Sequence, residues 1–133
     1  GYYRDPELTA QVLGADGWLR TGDIASMNES GFIKIKCRKD HMIIRAGMNI
    51  YPQEIENMLL SDKRTYEVLA YAIPDAMSGQ KIGIKIVGNY RNKNEVLQLC
   101  RELLPPYAVP SVIEIVDELV KNASGKVIRN GKT

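Results

Sequence analysis

The sequence has one histidine, His41, and two cysteines, Cys37 and Cys100, far apart and in no paired spacing. Such usage excludes a disulfide framework and a Cys/His zinc cluster, and it leaves both thiols as buried or incidental groups. No apolar run approaches the roughly 20 residues that a membrane-spanning helix needs, and no basic-then-apolar leader opens the chain. A cytoplasmic protein is therefore expected. Strong net charge is also missing: at +2 over 133 residues, the balance argues against a nucleic-acid binder. There is no internal repeat or low-complexity stretch, and 44% apolar with 26% charged residues is the composition of an ordinary globular protein with a real core.

The cations are unevenly placed. After Val120 come Lys121, Lys126, Arg129 and Lys132 with no acid, so the rest of the chain is slightly acidic. A basic tail is usually solvated, although it can also meet phosphate. Gly125-Lys126 is not a phosphate loop, because that motif needs glycine at 120 and Ser or Thr at 127, and both positions are valine.

Periodicity and capping residues mark the elements. Asp5 before Pro6 starts a short helix to Leu13, with Leu8 and Val12 on one face. Trp18 to Ser26 and Phe32 to Lys36 read as two strands joined through Asn28-Glu29-Ser30-Gly31, a hairpin whose second strand alternates Ile33 and Ile35 with lysines, so that one face is wet. Met42 to Ile44 is a brief strand, and Gly47 marks a place where the backbone bends or is approached closely. Pro52 then takes a first helical position, with Glu54 and Glu56 in the opening turns facing the positive end of the helix dipole. Ile55, Met58 and Leu59 form its apolar stripe, with the methionine as core filling. Strands over 68–73, 82–87 and 112–116, and a helix capped by Asn92 or Asn94 with Val96, Leu99 and Leu103 on one face, complete an α+β (or α/β-like) body: a small sheet with helices packed on it.

Three stretches remain that structure alone does not explain: Thr21-Gly22-Asp23, residues 38–56 opening on Arg38-Lys39-Asp40-His41, and Ser124-Gly125-Lys126. Singly, each is turn or solvated-loop material. In this order they resemble the AMP-forming acyl-adenylating superfamily of acyl-CoA synthetases, luciferases and peptide-synthetase adenylation domains. Gly47-Met48-Asn49-Ile50-Tyr51-Pro52 followed by Glu54-Ile55-Glu56 is most similar to the acyl-CoA ligase branch.

The resemblance implies an ATP-dependent enzyme in which a carboxylic acid attacks the α-phosphate of Mg-ATP, giving an acyl-adenylate from which a thiol, often that of CoA, displaces AMP. It implies that Asp23 holds the ribose hydroxyls, that Arg38 contacts the nucleotide, and that Asp40 is a hinge. Gly47 would line a pantetheine channel and Lys126 would catalyse adenylation. ATP, Mg2+ and CoA are the implied cofactors and substrates, with no metal ligands supplied by these residues. Residues 1–38 would be the end of a large N-terminal domain and 39–133 a mobile C-terminal domain that packs on it. Opening on Gly1, and too short for such an enzyme, the chain reads as an excised piece that does not complete catalysis alone. Departures from the family's wording are Cys37 where glycine is usual, Asn49 where some relatives carry arginine, and Val120 where proline is expected. A peptide-synthetase adenylation domain and a non-catalytic interaction module on the same fold are the alternative readings.

Overall fold

In the computed structural model, which describes residues 2–129, the chain divides between Asp40 and His41 into two units. The expected boundary lay two residues earlier.

The first unit opens with α1 (Pro6–Val12), where the Asp5 carboxylate accepts the Leu8 amide at 2.8 Å and Pro6 occupies a position that needs no donor. None of its residues is buried. Strands β1 (Asp23–Met27) and β2 (Ile33–Arg38) form the expected antiparallel hairpin, closed by the Asn28 side chain accepting the Phe32 amide at 2.9 Å. One expectation fails here. The first strand begins at Asp23 rather than Trp18, because Gly22 has φ +76°, a left-handed conformation that ends any extended run. The alternation on β2 marks one face as wet, but the other is not covered either: Ile33 and Ile35 are exposed, as is Phe32 just before the strand, at 74%.

A 3-10 turn, Lys39–His41, leads into the second unit. Its first strands, β3 (Ile43–Arg45) and β4 (Met48–Ile50), pair as a hairpin where the sequence pattern suggests one strand and then a helix. Ala46 and Gly47 form its two-residue turn with φ +49° and +78°, the positive-φ pair whose twist matches that of the flanking strands. Helix α2 (Pro52–Leu60) follows with proline at its start as expected. Next come β5 (Thr65–Asp75), antiparallel to β6 (Gly79–Gly88), then α3 (Lys93–Leu103) and β7 (Val112–Ile115), parallel to β6. The sheet order β5-β6-β7 is mixed, with α2 against β5 and α3 against β7, so the α+β reading holds.

The core follows from period-2 alternation on β6, where Ile82, Ile84 and Ile86 are fully buried, meeting Ile55 and Leu59 of α2 and Val96, Leu99 and Cys100 of α3. Burial pushes the Cys100 thiol up to about 11, as desolvation disfavours a thiolate. Two stripe residues depart from their expected places. Met58 is 44% exposed at the edge of its stripe and fills no core, while Leu103 is exposed and Cys100 takes the inward position. Among the described residues no helix is long and apolar enough to cross a membrane.

The α3 cap offers a local test. Asn92 accepts the Glu95 amide at 3.1 Å, so Asn92→Ala should cost about 1 kcal/mol, the usual worth of an N-cap. Urea denaturation reads this as a lower midpoint, and an unchanged midpoint would remove the cap from the account.

Candidate functional site

Asp23 and Arg38 come together through the register of the first hairpin. A bulge between Ile24 and Ala25 pairs Ala25 with Ile35 but Ile24 with Cys37, leaving Lys36 as the extra residue. Without that shift Asp23 would face Cys37; with it, Arg38 stands opposite, and its Nη1 lies 3.5 Å from Asp23 Oδ1. The same Nη1 donates to the Thr21 carbonyl at 2.8 Å, and the Lys39 amide donates to the Gly22 carbonyl at 2.7 Å. Gly22 is favoured by its positive φ, and a Cβ there would stand 3.3 Å from Arg38 Nη2, so that the guanidinium would have to shift slightly. The Asp23 side chain is 30% exposed, and one arginine contact leaves it further lone pairs for outside donors.

Asp40 lies in the 3-10 turn at the division between the units, its side chain 73% exposed and 3.9 Å from Arg38 Nε. Gly47 sits at the tip of the β3–β4 hairpin with nothing within 4 Å of where a Cβ would be, so the glycine supplies the bend and leaves the backbone open to approach. That hairpin is tied to the turn between β5 and β6: the Ala46 amide donates to the Ser78 carbonyl at 2.8 Å, and the Ile44 amide to Gln80 Oε1 at 2.7 Å.

Lys126 closes a turn that one side chain organises. Asn122 Oδ1 accepts from the Ser124 amide at 3.0 Å, the Ser124 hydroxyl at 2.7 Å and the Lys126 amide at 3.0 Å. The legs of the turn are bridged between Lys121 and Val127, and the Ile128 amide donates to the Val120 carbonyl at 2.9 Å. Lys126 is exposed, and its ammonium makes no hydrogen bond or ion pair among the described residues. A lysine so placed is a cation on a long stem that rises from an ordered turn. Lys132, the last charge of the basic tail, lies outside the described residues.

The attachment of the tail is not visible in the sequence pattern. Lys121 Nζ pairs with Glu67 Oε1 at 2.6 Å, and Arg129 donates two hydrogen bonds to Glu56, at 2.5 and 2.8 Å. Glu56, expected to face the helix dipole, is 5% exposed and also accepts the Ala70 amide of β5 at 3.0 Å. Its position carried the signal: Pro52, Ile55, Glu56 and Leu59 share the buried face of α2, so a carboxylate stands in an apolar stripe and needs a cation.

Among the described residues no group of three or more His, Cys, Asp or Glu could hold a metal ion. The candidate residues fall into two sets, Asp23, Arg38 and Asp40 in the first unit, and Gly47 and Lys126 in the second.

Residues 54–126 match the family model described as the AMP-binding enzyme C-terminal domain. The chain is 40% identical over 131 residues to a long-chain-fatty-acid–CoA ligase of Yersinia pestis, covering 97% of this chain and 23% of that protein. It is 37% identical over 133 residues to the 3-[(3aS,4S,7aS)-7a-methyl-1,5-dioxo-octahydro-1H-inden-4-yl]propanoyl:CoA ligase of Rhodococcus jostii, covering 98% of this chain and 26% of that one. Among solved structures, o-succinylbenzoate CoA synthetase from Bacillus subtilis, in complex with its acyl-adenylate intermediate, superposes with a TM-score of 0.84 at 32% identity over 94% of this chain and 26% of that one. An amide bond synthetase from Marinactinospora thermotolerans gives 0.82 at 32% identity over 96% of this chain and 26% of that one. The chain thus spans about a quarter of the length of the relatives it matches.

Proposed function

Because this chain belongs to the AMP-binding enzyme C-terminal domain family, we propose that it is the C-terminal part of an ATP-dependent acid–thiol ligase. Such a ligase activates a carboxylic acid as acyl-AMP and passes the acyl group to CoA. The observation that carries this reading is the family match itself, which reaches from α2 to Lys126.

The chemistry of the residues supports it. An attacking carboxylate and the α-phosphate it approaches are both anionic, and an ammonium placed between them relieves the repulsion and stabilises charge as it develops. Lys126 suits that role, because its stem is long, its backbone is ordered within the turn by Asn122, and its charge is not committed to another described residue. Asp23 would accept hydrogen bonds from both ribose hydroxyls, while Arg38 holds its carboxylate and reaches the nucleotide. The open backbone at Gly47 would give a narrow pantetheine arm room to pass during thioester formation. Mg2+ bound with ATP would neutralise phosphate charge, and the described residues form no ligand set for it.

The first unit is then the end of the larger adenylating domain. Its helix α1 buries nothing and its hairpin leaves Phe32, Ile33 and Ile35 in the open, as expected of a segment whose packing surface lies elsewhere in a longer protein. The adenine and acid pockets would lie in that domain, and the isolated chain would not complete catalysis.

The test uses the full-length protein. With ATP, Mg2+, a long-chain fatty acid as the first acid tried, and CoA, it should release AMP and pyrophosphate and form acyl-CoA. With acid but no CoA, labelled pyrophosphate should exchange into ATP. Asp23→Asn should raise the KM for ATP about tenfold, the scale of one charge-assisted hydrogen bond. Release of ADP and phosphate instead of AMP would overturn the assignment.

A further inference from the structure

After the last strand, β7, the tail buries one apolar side chain among the described residues, Leu119; beyond it, Val120 to Ile128 are exposed or only partly covered. Burial therefore does not fix the Lys126 turn on the domain. Two ion pairs remain. Lys121–Glu67 is exposed on both sides, 42% and 36%, and a pair of that kind is screened by salt and orders little.

Arg129–Glu56 is different in kind. The planar guanidinium meets the carboxylate with two parallel bonds, a geometry that specifies orientation as well as distance. The carboxylate is buried, and its Oε1 also takes the Ala70 amide on the edge of β5, so one group joins α2, the sheet and the tail. Arg129 comes three residues after Lys126, which keeps the two Cα atoms within about 11 Å of each other whatever the chain does between them.

We propose that Glu56 and Arg129 form a clamp that fixes the root of Lys126, making them positioning residues for acyl-adenylate formation. This rests on the adenylation reading of Lys126 given above. Released from the clamp, the turn keeps its internal order through Asn122 but loses its place on the domain. A catalytic group misplaced by about 1 Å can cost as much as 100-fold in rate.

The test is made in the full-length enzyme, with acyl-adenylate formation followed by pyrophosphate exchange. Arg129→Met keeps the stem and removes the fork; Glu56→Gln keeps an acceptor for Ala70 and removes the charge. Each should lower kcat for adenylation at least about tenfold, with the KM for ATP moved far less and thioester formation from supplied acyl-adenylate within about twofold. Arg129→Lys, which keeps the charge and is the milder change to folding, should fall between these variants and wild type because a single ammonium cannot reproduce the fork.

The deciding measurement is the double variant. In a Lys126→Ala background, Arg129→Met should add no further loss, since the clamp acts through the lysine. Losses that multiply would overturn the proposal and leave the pair as a structural salt bridge, as would an Arg129→Met enzyme that adenylates at the wild-type rate. Failure of the adenylation reading looks different: Lys126→Ala alone would then leave exchange intact, and the clamp proposal would fall with it.

Discussion

Lys126→Ala in the full-length enzyme should lower acyl-adenylate formation by about two orders of magnitude or more, the scale lost when one transition-state charge stabiliser is removed. Two features of the site make that loss specific. The ammonium makes no hydrogen bond or ion pair among the described residues, and the backbone of the turn is held by Asn122 independently of the lysine side chain. Stability should change by no more than about 0.5 kcal/mol, as for other exposed positions. Thioester formation from supplied acyl-adenylate should largely survive, because the thiol attacks the acyl carbonyl with AMP as the leaving group, and the carboxylate–phosphate approach that Lys126 relieves belongs to the first step alone. Rapid-quench measurement of the two half-reactions separates these outcomes. A variant that adenylates its acid at the wild-type rate would leave Lys126 as one more solvated charge of a basic tail.

The parts of this fold that can be read along the chain are those decided by neighbours in sequence. Asp5, Pro52 and the Asn92/Asn94 pair mark helix starts because a cap or a missing amide acts within one turn, and the three α-helices of the described residues begin at or beside Asp5, Pro52 and Asn92. Period-2 alternation on β6 likewise marks Ile82, Ile84 and Ile86 as one buried face. The β3–β4 hairpin escapes such reading because its turn uses Ala46 at positive φ, a conformation that alanine does not advertise; Gly47 alone reads as an interruption rather than a reversal. Met58 falls outside the core because a stripe gives the direction of a face but not its width.

The site divides along the same line. Asp23, Arg38, Gly47 and Lys126 stand out as candidates only through the family resemblance of their motifs, and their surroundings depend on pairing at a distance. Asp23 meets Arg38 only because Lys36 is bulged, a one-residue shift that no local pattern displays. Glu56 finds Arg129 from the far end of the domain, and only the apolar company of Ile55 and Leu59 hints that this carboxylate is buried.

Asp40→Pro should reduce thioester formation by about two orders of magnitude while leaving adenylation within about tenfold, if closure of the site for the second step requires the backbone at this residue to turn. Asp40 lies in the short 3-10 turn where the chain divides into its two units, a place where a few dihedral angles can reorient one body against another. Proline holds φ near −65°, and its ring also restricts Lys39 before it, so two consecutive residues of the turn lose their freedom. A lock of this kind traps the enzyme in one arrangement without touching a reacting group. Asp40→Ala is the necessary companion, since it removes the carboxylate, with its 3.9 Å approach to Arg38, but keeps the backbone free. The alanine variant should retain thioester formation within a few-fold of wild type, exposed ion pairs being worth about 1 kcal/mol or less. Single-turnover transfer from supplied acyl-adenylate to CoA reads the second step directly, and pyrophosphate exchange reads the first. Equal losses in both half-reactions for the proline variant would point to misfolding, whereas an alanine variant as impaired as proline would assign the effect to the carboxylate and remove the hinge from the mechanism.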